Sequence, residues 1–244
     1  MKQRLDSLLM AEGLAPTLEK ARAMILAGQI AVNGHKADKP GTMINAGATV
    51  TAKGHASPFV SRGGLKLAQG LAFFHIDPQG LVCADIGAST GGFTDCLLQH
   101  GAAKVYAIDV GYGQLAWSLR QDSRVVVMER TNARHLTPAD LPEPIALAVI
   151  DAAFISLKVL LPPLLPLFKE KVAILALIKP QFEVNREQSG GGVVTDPALH
   201  DQCINDILSF CTGLGLTPHG WTPSPLLGPK GNKEFLTYLT REAR

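Results

Sequence analysis

The sequence predicts a mixed α/β protein, in which a small α+β domain precedes a larger α/β domain with a doubly wound, mostly parallel sheet. From about residue 60 onward, short apolar runs alternate with helical segments, which is typical of a parallel sheet covered on both faces. Before that point, two helical segments are followed by a hairpin signal. The 244 residues, 46% of them hydrophobic, are sufficient for two such domains.

The first domain is predicted to contain two helices followed by short strands. Leucines recur at helical spacing over residues 2–12, and Thr17 opens a second helix that ends at Gly28. The pair Asn33-Gly34 lies between two strand-like runs and predicts a β-hairpin with a type I′ turn. The segment PGTMINAGATVTA supplies another turn and a last short strand.

The second domain begins after a stretch rich in Gly, Pro and small residues. We assign residues 1–53 to the first domain, 54–60 to a linker and 61–244 to the second domain. Its predicted strands are the apolar runs LVCADIG, KVYAIDV, RVVVMER, IALAVID and KVAILALIKP. The final run, EFLTYLTR, predicts an edge or antiparallel strand.

Charge and cysteine content limit the classes of function. Residues 1–60 carry seven Lys and Arg against four Asp and Glu, which indicates an anionic partner for the first domain. The cysteines form no C-x-x-C pair, so we expect buried reduced thiols and no metal site; they are Cys83, Cys96, Cys203 and Cys211. The N-terminus lacks a secretory apolar core and the most apolar run is broken by prolines. We therefore expect a cytoplasmic protein without a membrane-spanning helix.

A glycine-rich loop after the first strand of the large domain has two interpretations. Residues 87–91 read G-x-S-x-G, the nucleophile elbow of α/β-hydrolases, with Ser89 as nucleophile. Asp151, His200 and His219 follow as candidate partners for a catalytic triad. However, a hydrolase elbow follows several strands and an oxyanion loop, and neither precedes Gly87 here.

The loop fits a cofactor cradle better than an elbow. Asp85 ends the strand before the loop, and Asp109 ends the next strand, where it can accept both hydroxyls of a nucleoside ribose. The G-x-G-x-x-G pattern of dinucleotide sites is absent, and an acidic strand end suits a ligand with an ammonium group, so S-adenosylmethionine is the expected cofactor. The candidate cofactor-binding residues are Asp85, Gly87, Ala88, Ser89, Gly91, Gly92, Phe93, Asp109, Asn132 and Asp151.

Sequence motifs extend these expectations to a family. The first fifty residues resemble the S4 RNA-binding domain. The motifs SRGGLKL, DIGASTGGFTDCLLQ, YAIDVGYGQLAW, RVVVMERTNAR, VIDAAFISL, LIKPQFE and GGGVVTDP resemble the TlyA family over almost the whole chain. Members of that family are S4-fused ribosomal RNA ribose 2′-O-methyltransferases, also known as hemolysin A-like proteins. Their catalytic domain is a Rossmann-like class I methyltransferase domain similar to FtsJ/RrmJ.

The resemblance implies a Lys-Asp-Lys-Glu catalytic tetrad. The matching residues are Lys66, Asp151, Lys179 and Glu234. The chemistry needs such a set, because a ribose 2′-hydroxyl is a weak acid and a lysine desolvated beside a second cation can take its proton. No metal is required. The alternative is an ordinary exposed helix lysine for Lys66 and a solvated charge cluster around Glu234.

The implied partners are ribosomal RNA or ribosomal subunits, with the ribose of a cytidine as target. Candidate phosphate contacts in the first domain are Arg4, Lys20, Arg22, Lys36 and Lys39, for which solvated surface charge is the alternative. Ala153 departs from the family pattern, which has Ser there, and leaves the tetrad intact. Competing functions are a non-catalytic RNA- or ribosome-binding protein and a hemolysin-type membrane-active protein.

Overall fold

The chain divides into two compact units, Met1–Pro58 and Phe59–Arg244. The computed structural model describes residues 2–11, 14–15, 17–45, 48, 50–52, 58–168, 170–185, 189 and 192–242. Most of the predicted linker, residues 54–57, lies outside this part of the chain. Phe59 is buried in the core of the second unit.

The described residues of the first unit form two helices and five short strands. These are β1 (Lys2–Arg4), α1 (Leu5–Ala11), α2 (Leu18–Leu26), β2 (Ile30–Val32), β3 (His35–Ala37), β4 (Met43–Asn45) and β5 (Val50–Ala52). The strands form two small antiparallel sheets, β1-β4 and β3-β2-β5. The helix predicted over residues 2–12 begins only at Leu5, because the preceding residues pair with β4.

Local signals in this unit are confirmed. The Thr17 hydroxyl accepts a hydrogen bond from Lys20 N at 3.2 Å and caps α2. Asn33 and Gly34 both have positive φ, as a type I′ turn requires. The predicted last strand is two strands, β4 and β5. The unit has its own apolar core, which includes Leu5, Leu9, Ala21, Met24, Ile25, Ile30 and Ile44.

The second unit alternates strands and helices. Its strands are β6 (Val82–Ile86), β7 (Lys104–Ile108), β8 (Val125–Met128), β9 (Leu147–Ile150), β10 (Val172–Ile178), β11 (Thr217–Pro223) and β12 (Phe235–Arg241). Its helices are α3 (Gly63–Phe73), α4 (Gly92–Gln99), α5 (Trp117–Arg120), α6 (Leu157–Leu164), α7 (Pro180–Glu183) and α8 (Pro197–Gly213).

The seven strands form one sheet in the order β11-β12-β10-β9-β6-β7-β8. The five strands predicted from apolar runs are mutually parallel, which confirms the doubly wound sheet. The final strand β12 is antiparallel, as predicted, but lies inside the sheet between β10 and β11. The edge strand on this side is β11, which the sequence does not predict because its residues, TPHGWTP, are mostly exposed and carry no apolar run.

Both faces of the sheet are buried, because alternate residues of each parallel strand enter different cores. Along β7, Tyr106 and Ile108 pack with α6 and α8, whereas Val105 and Ala107 pack with α3, α4 and α5. All four cysteines are buried and free, as predicted. Among the described residues, none of the helices combines the length and the hydropathy that a membrane span requires.

The strand order reverses between β6 and β9. From β6 the chain winds outward to β7 and β8, and it then returns to β9 on the other side and continues to β10. Ligands of open α/β sheets bind at the carboxyl ends of the strands that flank such a switch point. The fold therefore places a binding crevice beside the loops that follow β6 and β9.

Candidate active site

A cleft of about 1060 Å³ opens at this switch point. The loops after β6, β7, β9 and β10 line it, together with the start of α3 and the segment before β12. This volume is in the range of clefts that enclose small-molecule ligands. All four residues of the predicted tetrad face the cleft, which brings together side chains from four separate elements.

The first pair of the tetrad joins α3 to the start of β12. Lys66 Nζ donates to Glu234 Oε2 at 2.6 Å. Lys66 is 9% exposed and Glu234 is 1% exposed. Lys66 is therefore not an ordinary exposed helix lysine, and Glu234 does not belong to a solvated surface cluster. Charged side chains are rarely buried unless they are paired, as these two are.

The second pair lies at the ends of the adjacent parallel strands β9 and β10. The Lys179 amine contacts Asp151 Oδ1 in a salt bridge, and Lys179 is 7% exposed. Asp151 N donates to Ile86 O at 3.0 Å, which continues the pairing of β9 with β6 to the cleft. The cleft thus contains two buried lysines, each held by one carboxylate.

The loop before β12 fits closely around Glu234. A Cβ atom on Gly228 would lie 2.0 Å from Glu234 Oε1, so glycine alone fits at this position without displacing the carboxylate. Gly228 N donates to Asn232 O at 2.8 Å. The buried Asn232 side chain accepts from Val194 N and donates to Gly192 O, which anchors the loop. Glu234 Oε1 has no hydrogen-bond partner among the described residues.

The glycine loop after β6 approaches the end of β9 very closely. Gly87 has φ of +87°, and a Cβ atom there would lie 2.8 Å from the Asp151 carbonyl oxygen. A side chain at this position would close the switch point. Four other predicted cofactor residues of the loop line the cleft: Ala88, Ser89, Gly92 and Phe93. Gly91 does not line it and packs against Leu115 and Leu119.

Asp109 lies at the end of β7, beside this loop. Its carboxylate accepts hydrogen bonds from Ser89 N at 2.8 Å and Gly111 N at 2.7 Å, and it lines the cleft. These two bonds fix its orientation and leave acceptor capacity for a ligand. Asn132 also lines the cleft, and its side chain accepts from Arg134 N at 3.1 Å.

Asp85, like Gly91, does not line the cleft. Its side chain is fully buried beneath the loop, where Thr94 Oγ1 donates to Oδ2 at 2.7 Å. Burial raises the pKa of Asp85 to about 7. The observed contact ties β6 to α4, and direct contact of Asp85 with a cofactor stays a prediction.

The contacts of Ser89 do not support a catalytic triad. Its hydroxyl donates to Gln114 Oε1 at 3.3 Å. The two candidate histidines have other partners and do not line the cleft: His200 Nε2 lies 2.9 Å from Val194 O, and His219 Nε2 lies 2.7 Å from Thr240 Oγ1. The G-x-S-x-G pattern here belongs to the glycine loop that follows β6 and not to a nucleophile elbow.

The predicted RNA contacts of the first unit have two environments. Arg4 and Arg22 both donate to the buried carboxylate of Asp6, and each keeps about half of its side chain exposed. These bonds hold the pKa of Asp6 well below its usual range. The other three cations, Lys20, Lys36 and Lys39, are exposed.

Several residues of the cleft were not among the sequence candidates. Among them are Ser61, Arg62, Arg134, Phe154 and Lys230. Phe154 is 91% exposed and has a positive φ of 62°, which is uncommon for a bulky residue. The available signal was an aromatic residue just after a strand end that carries a candidate catalytic Asp. Among the described residues, no group of three or more His, Cys, Asp or Glu side chains could hold a metal ion.

The fold and cleft define a methyltransferase with an N-terminal S4 domain. The model of the FtsJ-like methyltransferase family matches residues 59–241, and that of the S4 domain matches residues 3–50. YqxC of Bacillus subtilis (strain 168) is 49% identical over 98% of this chain and 85% of its own length. The 16S/23S rRNA (cytidine-2'-O)-methyltransferase TlyA of Mycobacterium tuberculosis is 45% identical over 98% of this chain and 90% of its own length. This chain belongs to the TlyA family of FtsJ-like methyltransferases.

A solved structure supports the fold over the whole length. A Streptococcus thermophilus protein that carries the name hemolysin superposes with a TM-score of 0.78 at 43% identity. The superposition covers 99% of this chain and 89% of that one. The predicted family and fold class are therefore confirmed.

Proposed function

We propose that this protein transfers a methyl group from S-adenosylmethionine to the 2′-hydroxyl of a ribose in ribosomal RNA, with cytidine as the target nucleoside. The observation that carries the proposal is the presence of two lysine–carboxylate pairs, Lys66–Glu234 and Lys179–Asp151, in one cleft beside the glycine loop. The M. tuberculosis and Campylobacter jejuni relatives that are named cytidine-2'-O-methyltransferases support the nucleoside and the site of transfer.

The residues of the cleft fit S-adenosylmethionine. Gly87 keeps space open at the switch point, and the oriented carboxylate of Asp109 suits the two hydroxyls of a ribose. The glycine loop, Asp109 and Asn132 would hold the cofactor. When bound, it supplies a methyl group on a sulfonium, which is already an activated leaving group.

The tetrad would act on the RNA hydroxyl. In its neutral form, Lys179 Nζ takes the proton from the 2′-hydroxyl and becomes the ammonium that pairs with Asp151, and Asp151 orients Lys179 by this contact. Glu234 orients Lys66, which supplies a second positive charge beside the oxygen as its negative charge develops. Positioning of the hydroxyl for in-line attack then contributes much of the rate enhancement.

The RNA contacts divide between the two units. Single-stranded or flipped nucleotides bind proteins by stacking on aromatic side chains, and the exposed ring of Phe154 in the cleft suits this purpose. The cations of the S4 domain suit the phosphate backbone of a larger RNA surface. We assign the activity to the cytoplasm, the compartment of bacterial ribosomes.

Methyl transfer from tritiated S-adenosylmethionine to total RNA, 30S, 50S and 70S particles tests the proposal. We expect label in ribosomal RNA from at least one substrate, and loss of this label in the Lys179→Ala variant. Cofactor binding without transfer to any substrate would instead indicate a non-catalytic RNA- or ribosome-binding protein.

A further inference from the structure

The Lys179–Asp151 pair lies where two adjacent strands of the sheet end and two further segments begin. Asp151 begins the loop between β9 and α6, and Lys179 precedes α7. Helix α7 has four residues, Pro180–Glu183, and so short a helix is not stable without tertiary contacts. Helix α7 therefore depends on a contact with a neighbouring segment for its position.

Glu183, the last residue of α7, makes this contact. Its Oε1 accepts a hydrogen bond from Leu157 N at 2.8 Å, and its Oε2 accepts one from Ser156 Oγ. Ser156 is the N-cap of α6, where its hydroxyl also accepts from Lys158 N at 3.1 Å. One half-buried carboxylate thus joins the end of α7 to the start of α6.

A second contact joins the same two segments. The ring centroids of Phe154 and Phe182 lie 5.2 Å apart, a distance typical of paired aromatic rings. Phe154 lies two residues before Ser156, and Phe182 lies directly before Glu183. The motifs FISL and PQFE therefore face each other, which gives a role to residues beyond Asp151 and Lys179.

We propose that Glu183 is a positioning residue for methyl transfer: together with Ser156 it clamps the segment of Lys179 to the segment of Asp151. Glu183 does not line the cleft, so it acts through these two residues and not on the substrate. The inference rests on the proposed function, since its role is to keep the Lys179 amine aligned with Asp151 and the RNA hydroxyl.

Single-turnover kinetics of the full-length protein test the clamp. Glu183→Ala should lower the methyl-transfer rate by about tenfold or more, because small misplacements of a catalytic group are costly. Glu183→Gln keeps an acceptor for Leu157 N and should give a smaller loss. Ser156→Ala should resemble Glu183→Gln, and Ser156→Thr, which restores the hydroxyl, should recover the rate. Affinity for S-adenosylhomocysteine and the KM for RNA should not change.

Glu143→Gln is the matched control, because Glu143 pairs with Lys104 at the opposite end of the sheet. The Ser156→Ala/Glu183→Ala double variant should cost no more than Glu183→Ala alone if both residues act through one contact. Wild-type rates in the folded Glu183→Gln and Ser156→Ala variants would overturn the proposal. A lower melting temperature with an unchanged rate would also overturn it, since Glu183 would then be structural only.

Hydrogen exchange supplies a readout that does not depend on activity. The α7 amides Phe182 N and Val184 N donate to Lys179 O and Pro180 O. Ser156→Ala should increase exchange at both amides, whereas Glu143→Gln should not. Unchanged exchange would contradict the clamp. If the wild-type protein transfers no methyl group but the exchange result holds, the proposed function fails and the clamp does not.

Discussion

Lys66 and Glu234 are 168 residues apart in the chain, yet their side chains form a 2.6 Å hydrogen bond inside the cleft. They meet because β12 lies next to β10 in the sheet, and α3 packs in the same apolar core as residues of these two strands. The contact brings the start and the end of the second unit into one site. Substitutions near either end of this unit should therefore lower activity, even where they lie far from the glycine loop.

Gly228→Ala tests the fit around Glu234. The added Cβ would lie 2.0 Å from Glu234 Oε1, so the carboxylate must move and its bond to Lys66 should be lost or weakened. We expect a loss of methyl transfer of about a hundredfold with near-normal cofactor affinity. Gly213→Ala, where a Cβ meets nothing within 4 Å, should behave as wild type. Equal activity of the two variants would remove Glu234 from the catalytic set.

Lys179 separates the role of a base from that of a fixed positive charge. Lys179→Ala should abolish transfer while calorimetry shows unchanged cofactor affinity. Lys179→Arg should be almost as inactive, because a guanidinium stays protonated and cannot accept the hydroxyl proton. Substantial activity in the Arg variant would mean that Lys179 serves as a charge and that another group is the base.

Asp109 should determine cofactor affinity. Asp109→Ala removes the carboxylate that Ser89 N and Gly111 N orient, so the affinity for S-adenosylhomocysteine should fall by about tenfold or more without unfolding the domain. Ser89→Ala is the control: its hydroxyl donates to Gln114 and not to Asp109, and both affinity and transfer should persist. Unchanged calorimetry for Asp109→Ala would exclude it from the site.

Asp85 should make stability depend on pH in an unusual direction. Its pKa is raised to about 7, mainly by burial, so the folded protein holds a proton between about pH 4 and 7 that the unfolded chain has lost. The free energy of unfolding therefore falls as the pH rises through this range, by about 4 kcal/mol at most.

Urea denaturation of the wild type and Asp85→Asn at pH 5 and pH 8 measures this effect. The wild type should lose more stability than the variant between the two pH values, because Asn keeps an acceptor for Thr94 and carries no charge to bury. An identical pH dependence for both proteins would show that Asp85 does not titrate in this range.

The S4 domain should supply RNA affinity. Lys20→Gln and Lys36→Gln remove exposed cations, and each should weaken binding to ribosomal RNA. Each should also reduce the slope of log affinity against log salt concentration by about one. Lys171→Gln, a Lys-to-Gln change in the second unit, should leave both the affinity and the slope unchanged.

A chain that begins at Phe59 should bind cofactor but lose most methylation of ribosomal substrates. Full activity in that chain would contradict the assignment of RNA affinity to the S4 domain.

Local and periodic features of the fold were predictable from the sequence. The Thr17 cap, the Asn33-Gly34 turn and the five parallel strands follow from short-range chemistry and from apolar periodicity. Strand β11 was not predictable, because its residues TPHGWTP join the sheet through backbone pairing to β12 and bury few side chains. Helix α1 begins late for the same reason, since β1 forms through pairing with β4.

The candidate site was predictable where motifs carried it. Lys66, Asp151, Lys179 and Glu234 were identified by resemblance and do line one cleft. Periodicity could not reveal that they form two separate pairs, or that Gly228 fits around Glu234, because both depend on tertiary packing. Asp85 shows the reverse case. Its position at a strand end predicts a residue of the site, yet its side chain lies buried beneath the loop.

The position of the transferred methyl group distinguishes methylation of the ribose 2′-oxygen from methylation of a base. After transfer of tritiated methyl to ribosomal RNA, alkaline hydrolysis should leave the label in an alkali-stable dinucleotide, because a methylated 2′-oxygen cannot attack the neighbouring phosphate. Nuclease digestion should then yield 2′-O-methylcytidine, and Lys179→Ala should yield no label. Label recovered in an alkali-labile nucleotide with a methylated base would show that the protein methylates a base and not the ribose.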